Sequence, residues 1–270
     1  MVALGPAGPW HVAGDDAAPF AIEVTPPPPS PPMAGSLRVV TFNVEYRSRS
    51  DALIGALRDH VELGRADVLL LQEIEPHAVD GARAPRLAEA LGMGLAYAHG
   101  LAIMCRWPLR DVAVMELPHA HVPYNRRRRI ALRADVATDA GRLRLTTIHL
   151  DTRLDGEVRL RQLAPAVDDT HPRQILGGDM NTLPFRFAAG AVPILPADQA
   201  RLLDDTMRRR GFDTPVTGAG ATHRSVLKVR LDALFTRGFA PGRAHVARDV
   251  RVSDHFPVWA DLAWPQPPPR

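Results

Sequence analysis

The sequence predicts an α/β fold of two mixed β-sheets packed face to face, with helices on the outer faces. Three observations predict it. Strand-like and helix-like segments alternate along the chain. Several consecutive strands are joined by hairpin-length connections, so antiparallel pairs sit beside parallel ones. The strands number about ten, more than a single twisted sheet holds comfortably.

The elements follow in order. Leu37-Arg38-Val39-Val40-Thr41-Phe42 is rich in β-branched and aromatic residues and reads as a buried strand. Ser50 can cap a helix on which Leu53, Leu57 and Val61 recur every four residues. Val68-Leu69-Leu70-Leu71 is a second buried strand, ending at Gln72-Glu73. Residues 85–91 read as helix, and Leu101–Cys105 as a strand stopped by Pro108. Strands follow at 111–117, 129–137 and 142–149, then a helix over 156–167. Gln174-Ile175-Leu176 forms a strand that ends in Gly177-Gly178-Asp179. Residues 198–210 are helical, and strands recur near 230–235, 243–248 and 257–263.

Composition divides the chain. Of 26 prolines in 270 residues, nine fall in residues 1–35 and four in residues 265–270. Segments so rich in proline bury too little apolar surface to offset the entropy of ordering them. The expectation is a disordered leader (1–35), one catalytic domain (36–264) and a proline-rich tail (265–270). Pro26–Pro32 should be extended polyproline helix or disorder, and Met33 is an alternative start. The leader carries −3 and the last six residues +1, which leaves +5 for the domain between them. All basic residues but Lys228 are arginines. A mildly basic domain favours an anionic substrate.

Other classes are excluded. The single cysteine, Cys105, allows no internal disulfide and no cysteine-rich zinc site, and reads as a small buried hydrophobe. No apolar run reaches the ~18–20 residues that span a bilayer. Asp15-Asp16 lies where a signal sequence would be apolar, so a cytoplasmic protein is expected; a monomer is expected as well.

The chemistry-bearing residues sit at strand ends. Asn43 and Glu45 close the first strand, Glu73 the second, and His149 the strand 142–149. Asp179 and Asn181 follow the strand at 174–176. Asp232 lies in the strand 230–235, and Asp254-His255 precede the last one. Carboxylates with amide oxygens make a hard site suited to Mg²⁺ or Mn²⁺. A histidine beside it can protonate or hydrogen-bond a phosphate oxygen, and a carboxylate can fix that histidine's orientation.

These stretches resemble the endonuclease/exonuclease/phosphatase superfamily: Thr41-Phe42-Asn43-Val44, Leu71-Gln72-Glu73, Thr147-Ile148-His149-Leu150, Gly178-Asp179-Met180-Asn181-Thr182-Leu183-Pro184, Arg230-Leu231-Asp232 and Ser253-Asp254-His255-Phe256-Pro257-Val258. Weaker matches are Gly100–Leu109 and the pair Arg159 and Gln162. The resemblance spans residues 37–263 and implies a four-layer α/β sandwich. It also implies a metal-dependent phosphoesterase. Glu73 matches the principal metal-ligand glutamate, Asn43 an asparagine supporting metal and phosphate, and Glu45 and Asp254 further acidic ligands. Asp179 matches the aspartate that orients and deprotonates water, with Asn181 on a phosphate oxygen. His255 matches the histidine that stabilises phosphorane charge or aids the leaving group, and Asp232 the aspartate bonded to it. At the place of His149, apurinic endonucleases carry tyrosine, and phospholipid- or phosphatase-like members histidine.

The substrate expected is a phosphodiester, nucleic acid ahead of a phospholipid or sphingomyelin headgroup or a phosphomonoester. A catalytically silent binding module is the contrasting reading. No Pro-Ala-Trp string of inositol polyphosphate phosphatases is present. Asn181-Thr182-Leu183-Pro184 replaces the sequence that apurinic endonucleases carry. The run Arg126, Arg127, Arg128 and Arg129 either clamps phosphates at the cleft rim or is a solvated loop. His119 and His121 lack a neighbouring third ligand, His171 and His223 read as surface or loop residues, and Thr222 as a structural or rim residue.

Overall fold

The computed structural model describes residues 3–29, 35–74, 83–120, 128–138, 141–168, 170–188 and 192–264. Its strands are β1 (Trp10–Val12), β2 (Glu23–Thr25), β3 (Ser36–Asn43), β4 (Val68–Gln72), β5 (Gly94–Ala98), β6 (Leu101–Cys105), β7 (Leu109–Glu116), β8 (Ile130–Thr138), β9 (Gly141–His149), β10 (Gln174–Asp179), β11 (Phe185–Ala188), β12 (Val192–Pro196), β13 (Asp232–Arg237), β14 (Ala240–Val246) and β15 (Val258–Ala263). Its helices are α1 (Ser50–Asp59), α2 (Arg83–Leu91), α3 (Gly156–Leu163) and α4 (Gln199–Arg209). One mixed sheet has the order β1-β7-β8-β9-β10-β13, the other β14-β15-β3-β4-β6-β5-β2, and β11-β12 form a separate hairpin. Each large sheet carries one parallel pair, β9/β10 or β3/β4, among antiparallel neighbours.

Side-chain alternation separates the layers. On β3, Leu37 and Val39 face the core between the sheets, with Val68 and Leu70 of β4 and Leu132, Leu145 and Ile175 of the opposite sheet. Val40 and Phe42 point the other way, onto Leu53 and Leu57 of α1 and Leu87 of α2. On the far side, Leu163, Leu203 and Met207 of α3 and α4 cover Ile148, Leu176 and Phe235. The result is the expected four-layer arrangement. Helix α1 stops at Asp59, so Val61 does not continue its apolar stripe and is 67% exposed.

The leader departs from expectation. Rather than remaining disordered, β1 pairs antiparallel with β7 at the edge of one sheet, and β2 pairs with β5 at the edge of the other. Residues 10–25 contain only one proline, Pro19. Trp10, Phe20 and Ile22 pack against the cores, and the open edges of β7 and β5 accept their backbone. Pro26–Pro29 carry neither helix nor strand. Residues 30–34 and the tail 265–270 lie outside the described residues.

Two glycines permit close approaches beneath the site, one between the sheets and one between paired strands. A Cβ on Gly177 would come within 2.8 Å of both Leu70 and Leu234, side chains of opposite sheets. At Gly178 a Cβ would lie 2.0 Å from the backbone oxygen of Ile148 on the paired strand, where nothing can yield. Gly178→Ala is therefore expected to lower stability by about 3 kcal/mol, read as a fall in the urea midpoint.

Candidate active site

Register alone assembles half of the site. Asp179, the last residue of β10, stands opposite His149 of β9 on one side and Asp232 of β13 on the other. In the facing sheet Asn43 stands opposite Gln72, one residue before Glu73. Gln72 joins the two halves: its Nε2 donates to Thr147 Oγ1 at 2.9 Å across the sheets and to Thr41 Oγ1 at 3.3 Å. The polar ends of apolar strands thus meet at one mouth of the sandwich.

The side chains converge on Asp179. Its Oδ1 accepts from the Asn181 backbone N–H at 2.9 Å. Its Oδ2 accepts from Asn43 Nδ2 at 3.1 Å and lies 3.4 Å from His149 Nε2 and 3.7 Å from His255 Nε2. His255 Nδ1 donates to Asp232 Oδ2 at 2.8 Å, and the other oxygen of Asp232 is buried with no hydrogen-bond partner among the described residues. Asp232 is itself positioned by Thr222, whose hydroxyl oxygen accepts from the N–H groups of Leu231 and Asp232 at 2.9 and 3.0 Å. Ser253 ties the last loop to the first strand. Its hydroxyl donates to the Asn43 carbonyl at 2.8 Å and accepts from the His255 N–H at 3.1 Å.

Burial and charge set the protonation. Burial pushes the Asp179 carboxyl up to about 6, partly opposed by the charge of His255. Burial alone would lower His255, but the negative charges of Asp232 and Asp179 outweigh it and raise the imidazole to about 10. The pair therefore offers a proton acceptor poised below neutrality beside a cationic donor.

Glu73, Glu45 and Asn181 adopt left-handed backbone conformations, with φ of 58°, 54° and 50°. Such angles in non-glycine residues are uncommon and cluster where a chain must aim a side chain. Glu73 Oε1 receives Asn43 Nδ2 at 3.3 Å, and Oε2 receives the Tyr46 N–H at 3.4 Å. Both bonds are long, so the carboxylate, 21% exposed, keeps lone pairs available to a hard cation. With the amide oxygen of Asn43 it forms the donor set that suits a divalent metal.

Two other triplets bring ligand atoms within 4.8 Å of one another, Asp179/Asp232/His255 and His223/Asp254/His255. In the first, the His255 Nδ1 proton already occupies the space toward Asp232. In the second, His223 Nδ1 accepts from the Ser225 N–H at 3.0 Å, which leaves the proton of a neutral ring on Nε2, facing Asp254 at 3.5 Å. The first triplet is organised by the His255–Asp232 hydrogen bond, with Asp179 beside it, and the second by the 3.5 Å approach of His223 to Asp254.

The remaining candidates fall at the rim. Asp254 is half exposed, and its N–H donates to Glu45 Oε2 at 3.3 Å. One Asn181 amide proton goes to the Leu150 carbonyl at 2.8 Å, and the second makes no hydrogen bond among the described residues. Arg128 pairs with Glu116, and Arg129 Nε donates to the fully buried Asp151 at 2.8 Å. Both flank a recess shared with Glu73 and His149. Arg126, Arg127 and His121 lie outside the described residues. Cys105 is buried as expected, and its thiol is pushed up to about 12 by desolvation.

His223 lies in a loop, as expected, but reaches the site. Read from sequence as a surface or loop residue, it packs edge-on against His255, with ring centroids 4.7 Å apart. An isolated antiparallel bridge between the two residues, and the Phe256 N–H donating to the Thr222 carbonyl, draw it in. No spacing signal could have found it, because the two residues are far apart in sequence. Arg159 was visible only as a weak match. Buried completely, it donates to the carbonyls of Asp151, Met180 and Leu154 at 2.6, 2.8 and 2.9 Å, bracing the loop between Asp179 and Asn181.

The Endonuclease/Exonuclease/phosphatase family model matches residues 40–255, from within β3 to the site histidine. The chain belongs to that family. Its members are phosphoesterases. No curated protein matches it significantly. Among solved structures, an endonuclease/exonuclease/phosphatase from Beutenbergia cavernae superposes with a TM-score of 0.66 at 22% identity, covering 86% of this chain and 72% of that one. TDP2 from D. rerio complexed with single-strand DNA product gives 0.59 at 17% identity, covering 85% and 99%. The human Nocturnin catalytic domain with bound sulfate gives 0.61 at 14% identity, covering 90% and 98%. These likenesses establish the shared fold, and the family match carries the chemistry. No helix among the described residues is long and apolar enough to cross a membrane.

Proposed function

We propose that the protein is a divalent-metal-dependent phosphodiesterase that cleaves nucleic acid by in-line attack of water on phosphorus. The observation that carries this reading is the buried chain Asp232–His255–Asp179 set against Asn43 and Glu73. Asp179 Oδ2, surrounded by donors and with its carboxyl raised toward neutrality, is suited to orient water and take its proton. His255, held cationic by Asp232, is suited to donate through Nε2 to a phosphoryl oxygen as charge builds there. The free amide proton of Asn181 serves a second phosphate oxygen. Glu73 and Asn43, with Glu45 and Asp254 at the rim, would hold Mg²⁺ or Mn²⁺, which would supply Lewis-acid stabilisation of the phosphate.

A nucleic-acid substrate is supported by the net positive charge of the domain and by the structural likeness to a protein holding a single-strand DNA product. A phospholipid headgroup diester or phosphomonoester is the second reading, favoured by His149 beside both Asp179 and Glu73. A panel of abasic DNA, single-stranded DNA, RNA, sphingomyelin and phosphomonoesters, each with an EDTA control, separates them. Preferred hydrolysis of sphingomyelin or a monoester would overturn the nucleic-acid assignment.

Asp232→Asn probes the histidine's charge. Losing the carboxylate removes the largest influence raising His255, so its pKa falls and the protonated form is lost at lower pH. The alkaline limb of the kcat/KM profile should move down by about 1 pH unit or more. A limb that stays in place would remove His255 as the proton-bearing group.

A further inference from the structure

We propose that Phe20, in the N-terminal leader, is a positioning residue for the active site, holding the hairpin turn that fixes Glu73. This rests on the phosphodiesterase reading and adds a residue from outside the stretch matched by the family model.

The leader crosses from one sheet to the other. Between β1 on the first sheet and β2 on the second, residues 13–22 pass over the side of the sandwich. In that crossing the Phe20 ring stacks on His99, with centroids 4.2 Å apart and planes inclined by 24°. The Arg128 guanidinium carbon lies 5.7 Å from the centre of the same ring. Phe20 also packs onto the core between the sheets, so its position is set from below.

His99 is part of a strained turn. Ala98 pairs with Leu101 across the β5–β6 hairpin, leaving His99 and Gly100 as a two-residue loop with φ of 43° and 79°. Positive φ at both central residues marks a type I′ turn, which glycine occupies freely and histidine at a cost. The stacked phenylalanine lies against the residue that bears this cost. The Gly100 carbonyl then accepts the Ile74 N–H at 3.0 Å. That bond anchors the chain one residue after Glu73, whose own backbone is left-handed. His99, Gly100, Arg128 and Arg129 form one recess with Glu73 and His149. Contact by contact, the leader reaches Glu73 through His99, Gly100 and Ile74 without touching a substrate atom.

Trp10 provides an internal control. It belongs to the same leader and packs beneath a guanidinium, with Arg133 4.0 Å from its ring. Its strand sits on the edge of β7, and it is not among the residues of that recess. If the leader merely stabilises the sandwich, Trp10→Ala and Phe20→Ala should behave alike.

The experiment uses the full chain in wild-type, Phe20→Ala, Phe20→Tyr and Trp10→Ala forms, with bis-p-nitrophenyl phosphate and Mn²⁺ as probe. Phe20→Ala should lower kcat/KM about 10-fold or more through misplacement of Glu73, and Phe20→Tyr should restore it. Trp10→Ala should leave kcat/KM near wild type even where its melting temperature falls. Amide hydrogen exchange gives a readout independent of turnover. Exchange at Ile74 should accelerate in Phe20→Ala and not in Trp10→Ala. Equal losses in both alanine variants, or an unchanged Ile74 amide in Phe20→Ala, would overturn the proposal. An inactive wild type with the expected exchange pattern would instead count against the phosphodiesterase reading alone.

Discussion

Asp179→Asn is expected to reduce turnover by ~10²–10⁴-fold while the protein stays folded. The change is isosteric, and a neutral amide in this buried position avoids the desolvation that raises the carboxyl. The fold therefore loses little when the charge is removed, and the chemistry loses its proton acceptor. His255→Ala and Glu73→Ala should each remove most of the turnover as well, the first by deleting the cationic donor and the second by deleting the carboxylate suited to hold a metal. The effects should not add, because the three groups act on one phosphate through one network. Steady-state kinetics with a thermal melt on each variant provide the check. Near-wild-type rates in two of the three would remove the assignment.

Arg159→Met should destabilise the fold by about 3 kcal/mol or more. The side chain is fully buried; burial pulls its guanidinium down to about 10, so it remains cationic at neutral pH. Methionine fills comparable space but leaves the carbonyls of Asp151, Met180 and Leu154 and the Gln199 amide oxygen without their donor. For a domain of this size the expected fall in Tm is roughly 6–12 °C. Arg159→Lys should recover only part of it, because one ammonium cannot reproduce a planar fork reaching carbonyls on different sides. Met180 lies between Asp179 and Asn181, so kcat should fall along with stability. A melting temperature within about 2 °C of wild type would show that these carbonyls find other donors.

Much of the site was legible because its chemistry sits where apolar runs stop. Asn43, His149 and Asp179 each end a buried strand and Glu73 directly follows one, and strand ends at one mouth of a two-sheet sandwich must come together. Pairings not implied by chain order were not legible. His223 reaches His255 through a loop bridge, and Ser253 ties two distant segments with one hydroxyl.

The missed strands have composition-level causes. β5 reads Gly94-Leu95-Ala96-Tyr97-Ala98, without a β-branched residue, and forms because β6 and β2 flank it. β11 and β12 stand among Pro184, Pro193 and Pro196, which ordinarily argue against strands and are tolerated in an isolated two-stranded hairpin. For the leader, proline density averaged over 35 residues hid a stretch from Trp10 to Thr25 with aromatic and aliphatic anchors and two open sheet edges to receive it.

The most direct measurement of the central claim is hydrolysis of bis-p-nitrophenyl phosphate by the full chain, with Mg²⁺ or Mn²⁺, with EDTA, and with Asp179→Asn in parallel. Turnover should need the metal, stop with EDTA and fall by ~10²-fold or more in the variant. No turnover with either metal, or equal rates in wild type and Asp179→Asn, would contradict it and leave a binding module of the same fold as the better description.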